Sequence, residues 1–417
     1  MTLFNLHRIT SGILFLCIFV SLSGCALSEI DWGDTPQDTS GTIAYQSKIT
    51  LRYQYAMLSE KEKEIYGRIF HAVSDGNRFA DVEEYQVSSA VCKKILNAVL
   101  CDSPDIFWVS RDFLILHESN FDFVQKIYFR YFDGSVVDDY DVQSDGSIVY
   151  RCQAEESRIR TRIEQCMAKV DSCLSAWDNM TPSEVEIAIH DWVAATVQYD
   201  EEVASAMETD STAEQTEYFD RFTAYGALMD GYAVCEGYAK LFQYLCLLKD
   251  INCTQVSGYA ENQGHMWNAV CLSDGWYFVD VTFDDMDSDE LDCIYTYLNV
   301  DLTTLSNTHT LSEDELLAVP ECSSDRQTYN KRNLINIVDG QISSSYESMI
   351  EQEISKGKDC ILIYFPNGDY SYDLFVTAMY DMENSLSDCI LRYGSSVEKI
   401  MALEPHYALI FLKSNGV

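Results

Sequence analysis

Apolar residues between Val234 and about Lys249 fall at Tyr238, Leu241, Phe242, Leu245 and Leu248. That spacing predicts a helix burying one face. Three runs after it read as strands: Cys253 to Gly258, His265 to Leu272, and Trp276 to Val281. Ser273-Asp274-Gly275 is the turn between the last two. A tight turn there sets Asp280 opposite Ala269. Asp280 then shares a sheet face with His265 but lies several residues along, so contact between them requires a bulge or a longer loop. Upstream, Thr181 as cap, Pro182 at the first helical position and Glu184 as the capping-box acid mark a helix start. Its buried face is Val185, Ile189, Trp192, Val193 and Thr196. A further helix precedes it, over roughly Ala154 to Trp177. The acidic, polar stretch from Glu201 to Gln215 reads as a loop.

The flanks are patterned differently. Helices are predicted over Ser59 to Val73 and Ser88 to Leu100, and strands over Ile106 to His117 and Phe123 to Phe132. From about Asn333 come a strand at Cys360 to Phe365, a turn at Pro366 to Asp369, a helix near Tyr372 to Leu386, and a hairpin joining Ile400 to Tyr407–Leu412. No repeat at a solenoid period is present. The organisation is α+β. Residues 1–25 form an export segment and 26–46 a polar tether. Residues 47–150 form an α+β module without a chemical motif, 151–330 the core, and 331–417 a small α/β domain.

Composition narrows the function. The chain of 417 residues carries 28 basic and 67 acidic residues, a net charge of −39. Nucleic acid is excluded as a partner, because its phosphates would be repelled. Docking on an anionic lipid surface by charge is excluded too. Only Arg8 is charged before the apolar run from Ile13 to Leu22, which is too short to span as a stable helix. Leu22-Ser-Gly-Cys25 closes that run. Of the 15 cysteines, none forms a Cys-x-x-Cys pair, so zinc and thioredoxin-like redox chemistry have no support. No metal or cofactor is expected. Cys246 and Cys360 sit in apolar runs as small core residues, and mostly free, buried thiols are expected.

Three short blocks carry candidate chemistry: Gly231-Tyr-Ala-Val-Cys235-Glu-Gly-Tyr-Ala239, Gly264-His265-Met-Trp-Asn268, and Trp276-Tyr-Phe-Val-Asp280-Val-Thr-Phe-Asp284. They supply a thiol, an imidazole and a carboxylate. Cys235 falls in the first turn of its helix, where free N–H groups and the macrodipole favour a thiolate and can face a developing oxyanion. Gly231 and Gly237 suit tight entry and close packing beside that turn. A base, His265, and an acid that holds its ring, Asp280, complete a nucleophilic set. Trp267 and Asn268 are candidates to wall the substrate site. His190 and Asp191 read as a solvated or structural pair, and Asp284 and Asp285 as loop carboxylates.

The three blocks in this order resemble the transglutaminase-like superfamily, whose cysteine fold is papain-like. The resemblance covers roughly Thr181 to Asp285, and departs from the usual pattern at Met266 and Phe283. It implies a nucleophile at a helix N-terminus packed on an antiparallel sheet. It places the nucleophile at Cys235, the base at His265 and the orienting acid at Asp280. His309 matches a downstream pattern of exported members and carries no assigned role. The end of the export segment resembles a bacterial lipoprotein signal, which implies lipidation of Cys25 and a membrane-anchored protein facing the exterior. The expected chemistry is attack on an amide carbonyl through a thioester, with a protein or peptide substrate outside the cell. Hydrolysis of a peptide, isopeptide or glutamine amide is favoured, because no feature marks an amine-binding site. Cross-linking by transfer to an amine and a non-catalytic envelope-binding module are the alternatives.

Overall fold

The computed structural model describes residues 43–117, 123–143, 147–209, 218–260, 262–285, 293–312, 317–336, 344–356, 360–364, 387–388, 390–392, 395–404 and 407–414. Residues 1–25 and the tether before residue 43, the turn at 366–369 and the predicted helix at 372–386 lie outside that set. The chain packs as two units, one through Ser324 and one from Asp325. No helix among the described residues is long and apolar enough to cross a membrane.

In the first unit, α1 (Glu60–Asp75) starts at a capping box between Ser59 and Glu62, and α2 (Ser89–Cys101) starts at Ser88. Strands at Phe79–Asp81, Leu114–His117 and Val124–Tyr128 form a small sheet. The predicted strand from Ile106 is shorter than expected. Residues 106–113 run as irregular chain, buried over 106–110 and tied by Phe132 N–H to Trp108 O and by Ser110 N–H to Arg130 O. α3 (Pro182–Thr196) begins at the expected Thr181–Glu184 capping box. The stretch expected to be a loop is helical over Glu201–Thr209. Asp200 Oδ1 accepts the Val203 N–H, the first-turn acids suit the helix dipole, and Val203 is buried.

α4 (Cys235–Leu248) is buried nearly all round rather than along one face. Its polar members are paired. Gln243 Nε2 donates to Cys101 O at 2.9 Å and Cys253 O at 3.2 Å, and Gln255 Nε2 donates to Gln243 Oε1 at 2.7 Å. α2 therefore ends against α4 and the sheet. Gln54 adds a second tie: its Nε2 donates to Thr254 Oγ1 and Ala318 O, and its Oε1 accepts the Ala318 N–H. Gln54 and the end of α2 at Cys101 thus tie the N-terminal segment to α4 and the central sheet.

The central sheet holds β1 (Cys253–Ala260), β2 (Gln263–Leu272), β3 (Gly275–Val279), β4 (Leu298–Val300) and β5 (His309–Leu311). Their order is β4-β3-β2-β1-β5, and all pairs are antiparallel. After β3, Asp280 turns the chain into the one-turn helix α5 (Val281–Asp284). Val281 therefore belongs to a helix, not to the predicted strand.

The second unit carries a four-stranded sheet of β6 (Ile335–Asn336), β7 (Cys360–Tyr364), β8 (Ser395–Glu404) and β9 (Tyr407–Ser414), in the order β6-β7-β9-β8. β8 and β9 form the expected hairpin. Eleven described cysteines are free and Cys271 is disulfide-bonded.

Candidate active site

Cys235 is the first residue of α4 and is half-buried. The cap residue, Val234, contributes no side-chain hydrogen bond. Of the first-turn N–H groups, that of Gly237 donates to Val234 O at 2.9 Å, so those of Cys235 and Glu236 are the ones that can face an anion. Two glycines make the approach possible. Gly231 has φ +73°, and a Cβ at Gly237 would sit 2.7 Å from Arg221 O and 2.6 Å from Ala233 Cβ. The neighbouring Glu236 is gripped by Arg111 and by Lys240, which fixes the first turn from two sides.

The hairpin that brings His265 to Asp280 closes one residue earlier than the sequence suggested. Gly275 pairs with Leu272, Phe278 with Ala269 and Val279 with Asn268. Asp280 thus emerges two residues nearer the His265 end of β2 than the expected pairing with Ala269, and that ladder needs no bulge. The irregularity falls on the other edge of β3, between Phe278 and Val279 against β4.

His265 Nε2 lies 2.6 Å from Asp280 Oδ2, and the Cys235 thiol lies near enough to raise the imidazole's pKa. The three predicted residues therefore meet. Burial alone would lower the His265 pKa. The charge and hydrogen bond of Asp280, then Cys235, outweigh it and raise the value to about 10. Burial would likewise raise Asp280, but His265 first and His309 second hold it well below the usual carboxylate range. Asp280 Oδ1 accepts the Phe283 N–H at 3.2 Å, so the acid also caps α5.

Trp267 and Asn268 do not wall a substrate surface. Both are 1% exposed. Asn268 Nδ2 donates to Ala239 O at 3.0 Å and ties β2 to α4. Trp267 stacks on His265, with ring centroids 5.8 Å apart at 25°, while Phe283 meets the same imidazole edge-on at 4.8 Å. Alternation along β2 turns His265 and Trp267 to one face and sends Asn268 to the other.

The remaining polar residues are placed more deeply than the sequence implied. His309 is buried, and its Nε2 lies 3.0 Å from the same Asp280 Oδ2. His190 is fully buried, between Asp191 Oδ1 at 3.1 Å and Asp284 Oδ2 at 3.2 Å. It is a structural residue and not a solvated one. Asp284 is no loop carboxylate: it ends α5, is fully buried, and accepts the Tyr297 N–H at 3.0 Å. Burial pushes its pKa up to about 6 against the pull of His190. Asp285 accepts the Tyr238 hydroxyl at 2.7 Å. These contacts join α3, α4 and α5 beneath the acid.

A thiol at the N-terminus of a buried helix, facing a histidine on an antiparallel sheet, defines the class of transglutaminase-like and papain-like cysteine folds. Residues 176–281 match the model of the transglutaminase-like superfamily core, and this stretch is a transglutaminase-like domain. The kyphoscoliosis peptidases of Homo sapiens and Mus musculus are each 27% identical over 198 residues, covering 42% of this chain and 28% of their own length. The chain thus spans well under half of these relatives. Among solved structures, a putative cysteine protease from Cytophaga hutchinsonii aligns at 24% identity and TM-score 0.21, over 27% of this chain and 37% of that one. A TGase aligns at 14% identity and TM-score 0.27, over 49% and 50%.

Proposed function

We propose that the protein is a cysteine-nucleophile acyl-transfer enzyme that hydrolyses amide bonds. The observation that supports it is the His265–Asp280 hydrogen bond beside Cys235, with the sulfur on the first turn of α4. The Cys235 thiolate attacks the amide carbonyl carbon, and the first-turn N–H groups receive the oxyanion. The C–N bond breaks as the His265 imidazolium gives its proton to the leaving amine, and a thioester remains. Water then gives a proton to His265 and attacks the thioester. The carboxylic acid leaves and the thiol is restored, so atoms and protons balance. Asp280 keeps the imidazole in the required tautomer and orientation throughout.

Hydrolysis is preferred over transfer because an amine outcompetes water only where a site binds and orients it. The relatives named as peptidases agree with that preference. The substrate proposed is a peptide, isopeptide or glutamine amide outside the cell, met by a protein anchored through lipid on Cys25.

The test is a screen for cleaved or cross-linked products formed by the wild type and absent with Cys235→Ala, run with a labelled primary amine present. Cleavage or released ammonia exceeding incorporated label supports the hydrolase. Label in excess of hydrolysis makes the protein a cross-linking transferase. No product with any peptide or protein offered, together with an inert Cys235, sinks the enzyme reading.

A further inference from the structure

We infer that His309 is a positioning residue for Asp280, a second imidazole that fixes the carboxylate on which His265 depends. The inference rests on the triad proposed above. Asp280 Oδ2 receives two imidazole Nε2 atoms, His265 at 2.6 Å and His309 at 3.0 Å. An ionised carboxylate only accepts, so each of these nitrogens carries a proton. On the far side of the His309 ring, Nδ1 lies 2.8 Å from Thr308 Oγ1, and Thr308 Oγ1 lies 2.7 Å from the Tyr297 hydroxyl. A neutral His309 satisfies every one of these atoms. Tyr297 donates to Thr308, Thr308 donates to Nδ1, and Nε2–H donates to Asp280. All donors point one way, toward the acid.

With Nδ1 accepting from Thr308, the ring proton that faces Asp280 is the one on Nε2. Packing holds the ring there. The His309 side chain is fully buried, with Trp267 at 5.0 Å, and Phe283 and Tyr297 each at 4.9 Å, between ring centroids. Its strand, β5, is fixed by pairing His309 with Ala260 and Leu311 with Gly258 on β1. Three donors thus hold Asp280: His265, His309 and the Phe283 N–H. Without His309 the carboxylate keeps a lone pair facing aromatic rings and is free to turn away from His265.

The experiment compares His309→Gln with His309→Asn. A glutamine amide nitrogen reaches the place of Nε2, whereas an asparagine amide nitrogen reaches only that of Nδ1. The readout is the pH profile of Cys235 alkylation by limiting iodoacetamide, followed by peptide mass spectrometry, with folding checked by circular dichroism. His265→Leu serves as control. His309→Gln should stay within about threefold of wild type, and His309→Asn should lose about 10- to 100-fold, the scale of a small misplacement of a reacting group. Asparagine within about threefold of wild type, or glutamine as slow as asparagine, overturns the role of His309 while leaving the triad intact. Wild-type alkylation that is indifferent to His265→Leu overturns the triad itself. Nitrogen-15 NMR of histidine-labelled wild type gives an independent check. A proton on His309 Nε2 at neutral pH supports the inference, and the Nδ1–H tautomer refutes it.

Discussion

Raising the pH should unmask how much of the fold's stability is stored between His265 and Asp280. The His265 pKa rises from 6.5 to about 10 in the folded protein, and its side chain is only 7% exposed. A raised pKa stabilises fully below the unfolded value and is lost as pH climbs through the folded one. Between pH 6.5 and about 10 the folded protein holds one proton more than the unfolded chain. Each pH unit in that window costs about 1.4 kcal/mol, roughly 5 kcal/mol in all. That is comparable to the whole stability of a marginal domain. Asp280 reports the same interaction from the acid side. Its folded pKa is depressed, so that contribution is present above pH 3.8 and lost as pH falls through the folded value. The two are not added. Buried His190 is raised as well: burial pulls it down, but Asp191, Asp284 and Cys293 outweigh it. The absolute slope is therefore mixed, and the readout must be a difference between wild type and His265→Gln. All six tryptophans precede residue 325, so tryptophan fluorescence in urea reports on the first unit alone. From pH 6 to pH 10.5 at constant ionic strength, the wild-type advantage should shrink by roughly 5 kcal/mol. An advantage that stays flat, or grows with pH, refutes the charged pair.

Among the free cysteines, burial pushes Cys101 and Cys166 up to about 12, so limiting iodoacetamide at pH 7 should label Cys235 first. Exposed Cys152 is the competitor, and peptide mapping that finds it labelled first would remove the case for activation. Gly258→Ala places a Cβ 2.1 Å from Thr310 O and 2.7 Å from Trp267 Cη2. It should cost about 1–3 kcal/mol in urea unfolding and slow Cys235 alkylation, because β5 must move and carries His309 with it; unchanged stability would contradict this packing. Cys25→Ser should release the protein from membranes or block its processing. Fractionation that finds the variant still cleaved at that position and still membrane-bound would exclude lipidation there.

The three blocks were legible because each is a local signature. The thiol sits at a helix start that glycine spacing and apolar periodicity both mark, the imidazole sits on a strand of evident alternation, and the acid directly follows another. Errors arose where tertiary contacts decide. The hairpin closes at Ser273-Asp274, one residue earlier than the sequence suggested, and this shift carries Asp280 two residues toward His265, which it meets at 2.6 Å from just beyond the end of β3. In a ladder of period two, turn length governs which side chains meet, and a Ser-Asp-Gly string permits more than one closure. The helix at Glu201–Thr209 was hidden because its acids look like loop solvent, although the same acids suit a helix N-terminus capped by Asp200.

The buried histidines show a stricter limit. His190 and His309 lie 94 and 29 residues from Asp284 and Asp280, and nothing beside either in the chain marks that distant partner. Their places follow from how α5 is hung. Asp280 and Asp284 are four apart on one helical turn, so both carboxylates point into the same polar seam, one toward the sheet and one toward α3. Each buried carboxylate then requires a donor that the apolar surroundings do not provide, and a histidine meets it in both cases. An Asp-x-x-x-Asp after a strand that ends in a reacting site is thus a reason to look for two buried donors elsewhere in the chain.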